Sequence, residues 1–124
     1  NIAQHVAAAH GATVTSKIPD SQGNPVTSNN PALTAKVLPS LKQVAGAENV
    51  VEMTLTTGAE DFAYYAKEVP GFFFFVGATP KGQDANSAPS NHSPKFFLDE
   101  SALPLGTRAL LQVSLDYLNG ANDG

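Results

Sequence analysis

The sequence predicts an α/β fold in which helices pack on a mostly parallel sheet. Residues 72–76 form a continuous apolar run between glycines, which is typical of a strand covered on both faces. Segments of helical periodicity alternate with short apolar segments, in the order helix–strand, linker, helix–strand–helix–strand–helix. We therefore predict a two-layer or three-layer α/β unit, preceded by the tail of another unit.

Composition supports a folded domain and excludes several classes of site. The 124 residues are 42% hydrophobic and 15% charged, as in globular rather than disordered chains. The formal net charge of −4 provides no basic surface for nucleic acid or an anionic membrane. The chain has no cysteine, which excludes disulfides and thiolate metal sites.

The first elements are predicted to be a helix over residues 2–10 and a half-exposed strand over 13–18. Residues 19–29 are rich in Pro, Gly, Ser and Asn, which indicates a linker. The chain starts with Asn1 rather than methionine, inside a helical pattern. We expect an internal fragment of a longer protein; a processed secreted precursor is the alternative.

The middle of the chain predicts a helix, a strand and a second helix. Asn30 is a typical N-cap before Pro31, and the helix over 31–45 contains Pro39, where a kink is expected. A short strand over 49–53 follows. The next helix, over 59–68, is expected to hold two acidic residues in its first turn.

The last third predicts a long loop and a closing helix. Residues 77–94 contain several prolines and glycines, and a loop of this length in a compact domain is usually functional. The helix from Asp99 to about residue 119 is apolar on more than half of its circumference. We therefore expect it to be buried against the sheet.

His92 is the strongest candidate for chemistry. It lies in the segment Asn-His-Ser-Pro at the end of the loop, where an α/β scaffold presents ligands at the carboxyl edge of its sheet. A neutral imidazole can bind zinc; the alternative is a surface histidine with local hydrogen bonds. His5 and His10 are five residues apart, a poor pair for one metal on a helix. Most of any metal site would therefore lie outside these residues.

Glu60 and Asp61 are the second candidates. Adjacent helical side chains diverge by about 100°, so the two cannot easily bind one ion. The simpler interpretation is that both complement the helix N-terminus beside Gly58. A second possibility is that the N–H groups of the Gly58 turn face a substrate carboxylate. The phenylalanine run favours core packing over a cofactor site. The serines lack a nucleophile elbow.

Four segments occur in an order that resembles a known family. They are Gly-Ala-Glu-Asp-Phe at 58–62, Val-Pro-Gly-Phe-Phe-Phe at 69–74, Asn-His-Ser-Pro at 91–94 and Asp-Glu-Ser-Ala-Leu-Pro-Leu-Gly at 99–106. Together they resemble the C-terminal part of zinc-dependent amidohydrolases that include hippurate hydrolase, N-acyl-amino-acid hydrolases and indole-acetyl-amino-acid hydrolases. Aminoacylases and glutamate carboxypeptidase are relatives of this family.

The resemblance implies a domain organisation and a site. In that family a smaller lid domain, which also mediates dimerisation, interrupts the catalytic α/β domain. Residues 1–18 then correspond to the end of the lid, 19–29 to a linker, and 30–124 to the C-terminal part of the catalytic domain. His92 corresponds to one ligand of a centre of two zinc or other divalent ions.

Gly58, Glu60 and Asp61 correspond to residues that line the substrate pocket. The remaining metal ligands and the glutamate general base belong to upstream sequence, so no catalytic residue is expected in this chain.

The expected function follows from the same resemblance. The parent protein would hydrolyse the amide bond of an N-acyl amino acid or small peptide, and this chain alone would be inactive. The expected partners are that substrate, the rest of the parent polypeptide and a second copy of it, with neither nucleic acid nor membrane. The alternative from a different class is a stand-alone, non-catalytic α/β module that binds a partner through a sheet edge or the linker.

Overall fold

The computed structural model describes residues 2–17 and 23–121. These residues form four α-helices and one short 3₁₀ helix, in the order α1 (Ile2–Ala9), α2 (Pro31–Ala45), the 3₁₀ helix (Ala47–Asn49), α3 (Phe62–Glu68) and α4 (Ala102–Leu118). Within these ranges, no helix is both long enough and apolar enough to span a lipid bilayer.

The predicted α/β fold with a mostly parallel sheet is wrong, because residues 2–17 and 23–121 contain no strand. A strand exists only where a neighbouring segment exchanges backbone hydrogen bonds with it. The predicted strands at 13–18, 49–53 and 72–76 find no such neighbour in the described residues, and residue 18 lies outside them. The apolar pattern indicated extended segments without indicating whether they would be paired.

Helix α2 begins and ends, and helix α1 ends, where the sequence signals predict. The Asn30 side chain accepts a hydrogen bond from the Leu33 N–H at 2.9 Å, which caps the N-terminus of α2. Gly46 ends α2 with φ of 88°, a conformation that glycine adopts without strain. The helix continues through Pro39 to Ala45. At the end of α1, Gly11 has φ of 68° and stops the helix as expected.

The pairing of α2 with α4 is the main contact between helices. Val37 and Leu41 of α2 and Ala109 of α4 are buried. The Ser40 hydroxyl donates a 2.6 Å hydrogen bond to Asp116 Oδ2, so a polar contact joins the two helices beside these apolar residues. This helix pair therefore holds most of the buried apolar side chains of the described residues.

The outer surface of α4 contradicts the expectation that this helix is buried against a sheet. Leu110, Leu111 and Leu118 are 60%, 57% and 78% exposed. The helix is apolar around much of its circumference, but α2 covers only one side of it. No sheet exists within residues 2–17 and 23–121 to cover the other side.

The phenylalanine run lies against α3 and is less buried than predicted. The rings of Phe62 and Phe73 are 5.5 Å apart, and Gly71 is buried against the same helix. However, Phe72, Phe73 and Phe74 are only half-buried, and Phe75 is 64% exposed. The expectation of a strand covered on both faces is therefore wrong, since the run is not a strand and its phenylalanines are only half-buried or exposed.

Candidate functional site

The loop that carries His92 is closed at its base. The Asp99 N–H donates a 2.8 Å hydrogen bond to the Ala78 carbonyl, which brings the two ends of segment 79–98 together. Inside the loop, the Ser93 N–H bonds to the Ser90 carbonyl at 2.9 Å and forms a turn around His92. The His92 N–H donates to Ser90 Oγ at 3.3 Å. Local turns thus set the backbone of this histidine.

The His92 side chain is exposed. No three His, Asp or Glu side chains in the described ranges lie close enough together to hold a metal ion. The residues of this structure therefore do not make a metal site by themselves. They can supply one imidazole ligand to a site that is completed elsewhere.

An apolar cavity of about 270 Å³ adjoins the histidine turn. Phe75, Val76 and Ala78 form one wall, and Phe96 and Phe97 come from the far end of the loop. Asn91, the residue before His92, also lines it. The loop thus places Asn91 at a mostly apolar recess, and His92 follows Asn91 in the chain without lining the recess itself.

Glu60 and Asp61 precede α3 instead of lying inside its first turn, since this helix begins at Phe62 rather than at residue 59. Glu60 Oε1 accepts a hydrogen bond from the Phe62 N–H at 3.2 Å, so its carboxylate does complement the helix N-terminus. Asp61 is exposed and accepts a 3.5 Å hydrogen bond from the Asn24 amide. Gly58 is exposed, in a segment without regular structure.

The two candidate groups are not joined in this structure. Within residues 2–17 and 23–121, no hydrogen bond links His92 to Glu60 or Asp61. His5 lies on α1 and His10 just after it, and both are exposed. Whether Gly58, Glu60 and Asp61 line a pocket with His92 stays a prediction.

Asp99 lies where the loop passes into α4. Its carboxylate accepts hydrogen bonds from the Ser101 side chain and backbone N–H, and these bonds hold the pKa of Asp99 below its usual value. The backbone bond measures 2.9 Å. Asp99 therefore keeps its negative charge near the helix N-terminus, where the helix dipole favours it.

Asn29 makes a tertiary contact that its sequence context did not predict. Its side chain makes two hydrogen bonds to the backbone of Phe73, at 2.7 and 2.8 Å. The sequence signal was weak, because Asn29 ends a stretch rich in turn-forming residues and its neighbour Asn30 already explained the helix start. The contact joins residues 44 positions apart and arises only in the tertiary structure.

Several curated proteins are similar to this chain. YhaA of Bacillus subtilis is 35% identical over 96 residues, covering 77% of this chain and 24% of that protein. IAA-amino acid hydrolase ILR1-like 4 of Arabidopsis thaliana is 40% identical over 85 residues, covering 62% of this chain and 19% of the relative. Thermostable carboxypeptidase 2 of Saccharolobus solfataricus is 35% identical over 95 residues, covering 77% of this chain and 23% of that protein.

The chain spans about a quarter of the length of these relatives, or less. No solved structure matches it at a significant level. The family model described as peptidase family M20/M25/M40 matches residues 5–116, which is most of the sequence and includes every candidate residue discussed above. The resemblance first suggested by four short segments is thereby confirmed, and the chain belongs to the peptidase family M20/M25/M40.

Proposed function

We propose that this chain is the C-terminal part of a metal-dependent hydrolase that cleaves the amide bond of N-acyl amino acids or small peptides. Membership of a peptidase family supports hydrolysis of amide bonds. The names of two relatives, an amino acid hydrolase and a carboxypeptidase, support the substrate class. The short coverage of these relatives supports the view that further residues complete the enzyme.

The observation that carries this proposal is the placement of His92. Its imidazole is exposed, on a loop closed at its base, and the preceding residue, Asn91, lines an apolar cavity of about 270 Å³. Within the described residues only the backbone N–H of His92 forms a hydrogen bond, whereas the alternative was a surface histidine held by local hydrogen bonds. An exposed imidazole on a fixed backbone is free to act on a bound molecule.

The family is generally metal-dependent, and His92 is the proposed ligand in this chain. Because the described residues supply no group of three ligands, the others must come from outside them. We assign two ions of zinc or another divalent metal to the complete site. The general base also lies elsewhere in the enzyme, so the chain alone does not catalyse.

The proposal extends to substrate contacts and assembly. Gly58, Glu60 and Asp61 form part of the pocket wall, with the exposed backbone around Gly58 available to a substrate carboxylate. The enzyme acts as a homodimer. It requires neither nucleic acid nor a membrane, in keeping with the net charge of −4.

The test is His92→Ala in the full-length hydrolase, with metal content and hydrolysis of N-acyl amino acids measured beside wild type. Loss of a ligand should lower bound metal and reduce kcat/KM by at least about 100-fold. His10→Ala is the matched control, because His10 is also exposed but lies next to α1. An unchanged metal content and rate in His92→Ala would remove this residue from the site. Amide hydrolysis by the purified 124-residue chain would contradict its inactivity alone.

A further inference from the structure

Asn29 supplies both hydrogen-bond partners of one backbone residue. Its Oδ1 accepts from the Phe73 N–H at 2.7 Å, and its Nδ2 donates to the Phe73 carbonyl at 2.8 Å. No backbone group within residues 2–17 and 23–121 forms a hydrogen bond with residues 72–76. The side-chain amide of Asn29 therefore makes the two hydrogen bonds with the Phe73 backbone that a neighbouring strand would make in a sheet.

The residue after Asn29 ties the same segment to α2. The Asn30 N–H donates to the Gly71 carbonyl at 2.9 Å, while its side chain caps α2 through the Leu33 N–H. Two consecutive asparagines thus join the start of a helix to two points in the segment that leads into the phenylalanine run. The register between the linker and this segment is fixed by three hydrogen bonds.

Contacts continue from Phe73 to the loop that carries His92. The ring of Phe73 packs edge-on against that of Phe75, with centroids 5.1 Å apart. Phe75 lines the apolar cavity together with Asn91. The hydrogen bond between Asp99 and Ala78 then holds the base of the loop beside this wall. A shift of Phe73 would therefore move the cavity wall that faces Asn91, the residue before His92.

We propose that Asn29 is a positioning residue: by clamping the Phe73 backbone it sets the place of Phe75 and of the loop that presents His92. This inference rests on the proposed function for its effect on catalysis, although the clamp itself is a structural contact. Asn29 acts through Phe73 and Phe75, and its own amide bonds to the Phe73 backbone rather than to the histidine.

The experiment compares Asn29→Ala and Asn29→Asp in the full-length hydrolase. Alanine removes both hydrogen bonds to Phe73. Aspartate has the same shape and keeps an acceptor for the Phe73 N–H, but its second oxygen cannot donate to the Phe73 carbonyl and repels it. We expect kcat to fall about tenfold in both variants, with KM changed by less than about twofold. Amide exchange of Phe73 should accelerate in both variants.

Asn49→Ala is the matched control. Asn49 is also an exposed asparagine whose amide bonds to a backbone carbonyl, that of Ala45 at 2.7 Å, but it lies at the far end of α2. Asn49→Ala should lower Tm about as much as Asn29→Ala while leaving kcat unchanged. If both variants lower kcat and Tm in parallel, Asn29 is only structural and the proposal is overturned.

An unchanged kcat in Asn29→Ala would also overturn it. If Asn29→Ala does not fold, Asn29→Asp still decides, since wild-type kcat in that variant would contradict a role for the bond to the Phe73 carbonyl. Failure of the proposed function looks different. It would appear as wild-type metal content and rate in His92→Ala, whereas the Phe73 exchange rates would still test the clamp.

Discussion

Similar apolar side chains are buried in the α2–α4 pair and exposed in the segment over residues 50–60. In the helix pair, Val37 and Leu41 are only 3% and 7% exposed. In the segment, Val51, Met53 and Leu55 alternate along the chain and are 73%, 53% and 102% exposed. The apolar pattern is clear in both regions. The regions differ in whether another described element lies against them.

This difference shows what a hydrophobic pattern can and cannot predict. A stripe of apolar side chains indicates which residues gain free energy from burial, at about 25 cal/mol per Å². It does not identify the surface that buries them. For α2 that surface is α4, which the chain itself supplies. For residues 50–60, no described element supplies it.

The largest expected effect tests the helix pair against the exposed segment directly. Leu41→Ala should lower the free energy of unfolding by about 2–4 kcal/mol, because it leaves a cavity between α2 and α4. Leu55→Ala should change it by less than about 0.5 kcal/mol, since that side chain is fully exposed. Urea denaturation of the two variants checks both values. Equal losses would mean that Leu55 is buried in the folded protein.

The second prediction concerns the contact between the phenylalanine run and α3. A Cβ at Gly71 would lie 2.8 Å from the Ala66 Cβ and 3.1 Å from the Ala66 Cα, closer than packed atoms allow. Gly71→Ala should therefore destabilise the fold by about 1–3 kcal/mol. Gly77→Ala is the control, because nothing lies within 4 Å of its added Cβ. A Gly71→Ala protein as stable as this control would show that the segment does not pack on α3.

The smallest expected effect is a pH dependence within the helix pair. Hydrogen bonds from Ser40 and then Gln112 hold the pKa of Asp116 below its usual value. A lowered folded-state pKa stabilises the protein above the unfolded value, about 3.9, and this stabilisation is lost as the pH falls through the folded value. The Tm difference between wild type and Asp116→Asn should therefore be constant from about pH 7 to pH 5 and shrink below about pH 4.

Ser40→Ala is the control for this pH dependence. It removes the larger cause of the shift, so the pKa of Asp116 should return toward its usual value. The contribution of Asp116 to stability should then vary less with pH between the folded-state and unfolded-state pKa values of this residue. A Tm difference between wild type and Asp116→Asn that does not change between pH 5 and pH 3 would contradict the role of the Ser40 hydrogen bond.

Local signals predicted the helices well and the sheet not at all. The ends of α2 are marked by Asn30, Pro31 and Gly46. These signals act between residues close in sequence, so the sequence alone reveals them. The predicted strand over residues 72–76 depended on partners distant in sequence, and periodicity carries no information about them. The start of α3 was misplaced by three residues because Glu60 caps it from outside the helix.

The candidate site shows the same division. The segment Asn-His-Ser-Pro and its loop were identified from the sequence; His92 is exposed in the structure, and its role as a metal ligand stays a prediction. The Asn29 clamp was not predicted, since the adjacent Asn29 and Asn30 look alike in sequence. Their different partners, Phe73 for one and Leu33 for the other, arise from tertiary structure.

The hydrogen bond between Ala78 and Asp99 has a consequence for where this chain tolerates change. Because the loop leaves and returns at one point, insertions or substitutions among its inner residues should leave the α2–α4 pair undisturbed. Changes at exposed positions there should cost little stability. The helical framework and the loop can therefore vary independently.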